Sequence, residues 1–126
     1  MNLIDVRLVG TTETDGSLTV NADRSFFGFL YAVEWIDGAF EDGVDAVVSI
    51  QTTSSGVAQT VATLTDANSD LMYYPRSVVH SEAGVALTGT AGGDRAMFVI
   101  NGTPRLVVAS GGSAKLGGCI LYITED

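Results

Sequence analysis

Short stretches of β-branched and aromatic residues recur along this chain at intervals of roughly 8 to 12 residues. Turn-forming residues separate them, the pattern of an antiparallel sandwich or small barrel. From Leu3 to Val9 the side chains alternate. Ile4, Val6 and Leu8 point one way and Asp5 and Arg7 the other, which predicts a half-buried strand. The polar segment TTETDG follows, with Asp15-Gly16 at its tip, and then SLTV. An Asp-Gly pair between two such stretches predicts a hairpin.

The most apolar run is FFGFLYAVEWI, Phe26 to Ile36. Its aromatic and β-branched content predicts a central, well-buried strand, and Gly28 would weaken a helix there. Residues 37–45 read as a glycine-rich acidic loop, AVVSIQ as a further strand and TTSSG as a turn. Val57, Val61 and Leu64 sit at helical spacing, yet Thr60, Thr63 and Thr65 oppose a helix. A strand to about Leu64 and then a loop is the expectation. YYPRSVVH contains Pro75, which cannot donate to a ladder, so it reads as an edge strand or extended arm. SEAGVALTGTAGGD is a loop of small residues holding one short strand at most. RAMFVI and TPRLVVAS, joined at Asn101-Gly102, predict another hairpin. GGSAKLGG reads as the next turn and CILYIT as the closing strand. The fold class expected is all-β: a single β-sandwich or jelly-roll-like small barrel of short antiparallel strands, one domain over residues 1–126.

Charge narrows the partners. Fifteen acidic residues against six basic ones give a net charge of −9. Nucleic acid and anionic membrane surfaces are poor partners for such a chain. No Lys or Arg occurs between Arg24 and Arg76, while Arg76, Arg95, Arg105 and Lys115 lie in the later part. Acidic and basic faces on one small domain suit packing between copies. The single cysteine, Cys119, allows no intrachain disulfide. The opening residues lack the basic and long apolar regions of a signal peptide, and no apolar stretch is long enough for a membrane helix. Synthesis in the cytoplasm is the expectation.

Chemistry is scarce. His80 is the only histidine, and no G-x-S-x-G elbow accompanies it. Cys119 lies in the apolar run GCILYI, where a thiol acts as a small hydrophobe. One Cys and one His do not make a zinc site. Asp37, Glu41, Asp42 and Asp45 crowd one loop without the spacing of a helix-loop-helix calcium site, so a solvated turn is the simpler reading. The pairs Gly92-Gly93, Gly111-Gly112 and Gly117-Gly118 match no phosphate-binding fingerprint and read as tight turns. No catalytic, cofactor-binding or metal-ligating residue is expected. Tyr73, Tyr74 and Arg76 are the candidate interface residues, because Tyr and Arg are enriched at binding hot spots. Stacking on the same tyrosines would also suit a sugar or peptide.

Three local motifs carry a resemblance. They are EDGVD (41–45), YYPRSVVHSEAG (73–84) and RLVVASGGSAKLGG (105–118), and in order and composition they resemble small structural proteins of tailed bacteriophages. The resemblance runs from about Phe40 onward and leaves residues 1–36 outside it. It implies a non-enzymatic virion component, first of all a capsid decoration (cement) protein on the capsid surface. Its partners would be the major capsid protein and further copies of itself, as a homotrimer or other cyclic oligomer. A tail, neck or adaptor subunit is the alternative within the virion. A carbohydrate- or receptor-binding β-sandwich is the alternative outside it.

Overall fold

The computed structural model describes residues 2–52, 57–78 and 95–125. Alternation of apolar and polar residues, with β-branched side chains at the inward positions, makes almost every apolar stretch a strand. The strands are β1 (Asn2–Thr11), β2 (Leu18–Asn21), β3 (Phe26–Ile36), β4 (Asp45–Gln51) and β5 (Ala58–Leu64). They continue with β6 (Leu71–Tyr73), β7 (Ser77–Val78), β8 (Arg95–Ala96), β9 (Phe98–Ala109) and β10 (Leu116–Glu125). The fold is all-β, as the sequence predicts. Eight strands form one antiparallel sheet with the path β1-β10-β3-β9-β4-β5. Off this path β2 pairs with β9 and β6 with β3. The sheet does not close into a barrel, and its architecture is that of a small sandwich.

β9 holds the two halves together. Its residues Phe98 to Gly102 pair with β3, and Thr103 to Ala109 pair with β4, while β2 lines its other side from Arg105 to Val108. One half is therefore β1, β10, β3 and β6, and the other is β2, β4, β5 and the C-terminal part of β9. Their inward side chains share one core. Leu8, Leu30, Trp35, Leu121 and Ile123 come from the first half, and Val48, Ile50, Leu106 and Val108 from the second. Trp35 is fully buried. Its indole N–H donates to the Ala67 carbonyl at 2.9 Å, and its ring stacks on Phe40 at 5.6 Å. The Phe40 ring occupies the space that a side chain at Gly117 would need, 2.5 Å from an added Cβ.

Four expectations are corrected. The Asp15-Gly16 turn forms, with Gly16 N–H donating to Glu13 O, but it makes no hairpin, because β1 pairs with β10 and β2 with β9. Asn101-Gly102 is no turn either. β9 runs straight through it, and the glycine is the crossing point between the two halves, where the Gln51 carbonyl oxygen lies 2.1 Å from where a Cβ would stand. Gly117 and Gly118 are buried strand residues of β10, not part of a turn. Leu71 and Met72, expected in a loop, form β6 together with Tyr73. The YYPRSVVH segment supplies the end of β6 and β7, with Val79 and His80 outside the described residues. Gly92-Gly93 lies outside them too.

Candidate functional site

The most distinctive surface is the outer face of β3 and its neighbours. The well-buried strand expected over 26–36 is buried on one side only. Phe26 and Leu30 face the core, so Phe27, Phe29 and Tyr31 face solvent, with relative exposures of 69%, 42% and 46%. A β-bulge then changes the phase. Tyr122 lies opposite Ala32 and Ile123 opposite Leu30, which leaves Tyr31 as the extra residue. Beyond it Val33 and Trp35 turn inward, while Glu34 joins the outer face with Tyr122, whose hydroxyl donates to Glu34 Oε1 at 2.6 Å.

The bulge explains what Arg76 does. The carbonyl oxygen of Tyr31 accepts from Arg76 Nη1 at 3.0 Å, and the same Nη1 donates to Pro75 O at 2.7 Å. The guanidinium carbon lies 5.9 Å from the centre of the Tyr31 ring. Tyr74 meets that ring edge-on, 6.1 Å between centroids at 87°. Tyr74 and Arg76 are thus brought together around Tyr31. Tyr73 is not part of this cluster. It lies opposite Val33, is half-buried and packs against the core. Tyr74 lies just past the end of β6 and is exposed.

The face extends in both directions from Tyr31. On one side Val99 of β9 lies opposite Phe29, and both are exposed. On the other, Leu3, Tyr31, Ala32, Met72, Tyr74 and Tyr122 line an apolar cleft of about 210 Å³. Phe27, Phe29, Tyr31, Leu3, Met72 and Val99 were missed by the reading of the sequence as a site. Their signal is the shared parity of Phe27, Phe29 and Tyr31, in a run whose high apolar content reads as burial on both faces. The proton of Tyr122 is held more tightly than in a free tyrosine. Its hydrogen bond to Glu34 is the main cause, followed by desolvation and the negative charges of Glu34 and Asp5, with Arg7 opposing.

Comparison of the chain with protein-family models, with curated proteins and with solved structures returns no match.

The remaining candidates are accounted for by their geometry. Cys119 is buried opposite Trp35, and burial pushes its thiol up to about 12. Of the loop carboxylates, Asp45 Oδ1 accepts from Asp66 N–H at 3.0 Å; the backbone N–H of Asp37 donates to Asp70 Oδ1 at 2.8 Å, and Asp37 Oδ1 itself is buried with no hydrogen-bond partner among the described residues. Asp37 is raised above the usual carboxylate range by desolvation first and then by the charges of Asp70 and Asp42. Among the described residues no group of three or more His, Cys, Asp and Glu is arranged to hold a metal ion. No helix among them is long and apolar enough to cross a membrane. Gly111 lies in the loop between β9 and β10, where its N–H donates to Gly16 O.

Proposed function

We propose that the protein is a non-enzymatic structural subunit that binds another protein through the outer face of β3. The observation that carries this reading is the row Phe27, Phe29 and Tyr31, exposed on a rigid strand and flanked by Tyr74, Val99 and Arg76. Solvent-facing aromatic rings with a neighbouring guanidinium are what interface hot spots are made of, and contiguous apolar patches on a soluble surface mark binding sites. The bulge and the Arg76 hydrogen bonds hold the Tyr31 segment in one conformation before any partner arrives, which lowers the entropic cost of docking. The motifs at 41–45, 73–84 and 105–118 point this reading toward a tailed-phage virion. There the protein would be a capsid decoration (cement) protein that stabilises the assembled shell by binding the major capsid protein. Repetition of one modest contact over many symmetric sites makes such coverage tight.

The test is co-sedimentation of the purified protein with empty tailed-phage shells, with light scattering for its own mass. Wild type is expected in the pellet, and the double variant F29S/Y74S in the supernatant with its fold intact by circular dichroism. Equal pelleting of both, or of neither, would sink the reading. A large ring in solution would move the assignment to a tail, neck or adaptor subunit. Tyr31, Tyr74 and Glu34 on one face also furnish the aromatic-plus-carboxylate surface of a carbohydrate binder. A monomer that ignores shells and is retained on a glycan matrix would establish that alternative.

A further inference from the structure

β1 is a free edge. It is the terminal strand of the sheet path, among the described residues it pairs only with β10, and that pairing runs without a register break from Asn2 to Thr11. Natural sheets protect an edge with a bulge, a proline, a short strand or an inward-pointing charge. β1 has none of these. Its inward side chains are Ile4, Val6 and Leu8, and its charges, Asp5 and Arg7, point outward. The opposite end of the path differs. β5 is shorter, its pairing with β4 shifts register at Val48/Ser49, and Tyr73 to Pro75 wall a cleft beside Val61 to Leu64. Beside β1, between Asp5–Arg7 and the segment Asn21–Phe26, lies an open cleft of about 340 Å³, so the edge is approachable.

We infer that β1 pairs antiparallel with β1 of a second copy of this chain, with the two-fold axis at Val6. The occupant is identified by charge and side-chain complementarity. An antiparallel pair must place same-face residues opposite each other. With Val6 facing its own copy, Asp5 faces Arg7 of the other chain and Arg7 faces Asp5, so each interface holds the same ion pair twice. Leu3 then faces Val9 on the outer side, and Ile4 faces Leu8 on the inner side. Sliding the register by one same-face step either way puts Asp5 against Asp5 or Arg7 against Arg7. The strand therefore specifies its own partner and its own alignment. Among the described residues neither Asp5 nor Arg7 forms an ion pair, the one found there being Arg24–Glu125. The contact is isologous, closes as a dimer and covers the edge from Asn2 to Gly10. It rests on the assembly reading only in taking the chain to be a subunit, and it uses a surface distinct from the Phe29 and Tyr74 face.

The test is sedimentation equilibrium of the full chain over a concentration series at near-physiological salt, with D5R, R7D and D5R/R7D. Each single variant opposes like charges at both positions and is expected to weaken the dimer by about tenfold or more. D5R/R7D exchanges the partners and is expected to restore it. An equimolar mixture of D5R with R7D is expected to form the heterodimer, because the arginines of one chain then face the aspartates of the other. The positions are exposed, and circular dichroism of each variant checks that the fold is retained. A monomeric wild type overturns the inference. So does a dimer that tolerates both single variants, or a double variant as weak as either single one. Loss of shell binding in F29S/Y74S with the dimer intact, or the reverse, separates the failure of one reading from the failure of the other.

Discussion

Replacing Gly102 by alanine tests how the two halves of the sheet are joined. The residue sits at φ +153°, a backbone region that side chains other than glycine's rarely adopt. An added Cβ would stand 2.1 Å from the Gln51 carbonyl oxygen, 2.8 Å from its carbon and 3.0 Å from Thr52 Cα. All three atoms are backbone, so no side chain swings aside to make room. The strained dihedral costs about 1–3 kcal/mol. Forcing β4 and β9 apart at their junction adds about 1–3 kcal/mol more. A total of about 4 kcal/mol is a large part of the roughly 5–15 kcal/mol that holds a domain of this kind folded. Gly43 is the control. It has φ +89°, and nothing lies within 4 Å of its added Cβ, so G43A bears the dihedral cost alone. Urea unfolding followed by far-ultraviolet circular dichroism should rank G102A below G43A by about 2 kcal/mol. Equal losses in the two variants would show that Gly102 is not pressed against β4, and that the crossing is looser than described.

Two further outcomes are expected. Cys119, buried and with its thiol pushed up to about 12, should not react with a disulfide reagent in the native protein and should react fully in guanidinium chloride. Labelling of the native protein at the rate of a free thiol would contradict that burial. Glu34→Ala should lower the pH at which Tyr122 ionises, read as the difference in tyrosinate absorbance between proteins with and without Y122F. Because the fold raises the titration of Tyr122, its contribution to stability is complete below the ordinary tyrosine value of about 10. It is lost as the pH rises through the folded value, so alkaline unfolding of wild type should be steeper than that of E34A. Unchanged ionisation would show that the hydrogen bond is not the cause.

The strands were more legible than their partners. Phe26 to Ile36 has the bounds the residues predict, because aromatic and β-branched side chains favour a pleated surface whatever they pair with. Pairing is decided elsewhere. Asp15-Gly16 and Asn101-Gly102 carry the local signal of a hairpin, yet in the first the strands part to different halves, and in the second the chain does not turn. Glycine is required at Gly102 by the approach of Gln51, some fifty positions away, and local sequence carries no trace of that contact. The site was half legible for a similar reason. Tyr74 and Arg76 stand out by residue type, but the group that organises them is Tyr31. Its place outside the ladder depends on a bulge opposite Tyr122 and Ile123. Tyr73 shares Tyr74's composition argument, but its pairing opposite Val33 turns it toward the core.

The pairing of β1 with β10 also sets an order of events. Leu3 faces Thr124 and Leu8 faces Cys119, so almost the whole chain lies between the members of each pair. Loops of that span close slowly, and topologies built on them fold slowly for their size. On a ribosome adding roughly 5–20 residues per second, β1 emerges several seconds before the strand that will cover its first edge. Through that interval both of its sides are open, and other nascent copies on the same message offer the same apolar Ile4, Val6 and Leu8. The demand this fold makes on the cell that synthesises it is therefore one of timing: β1 must be kept from company until β10 has arrived.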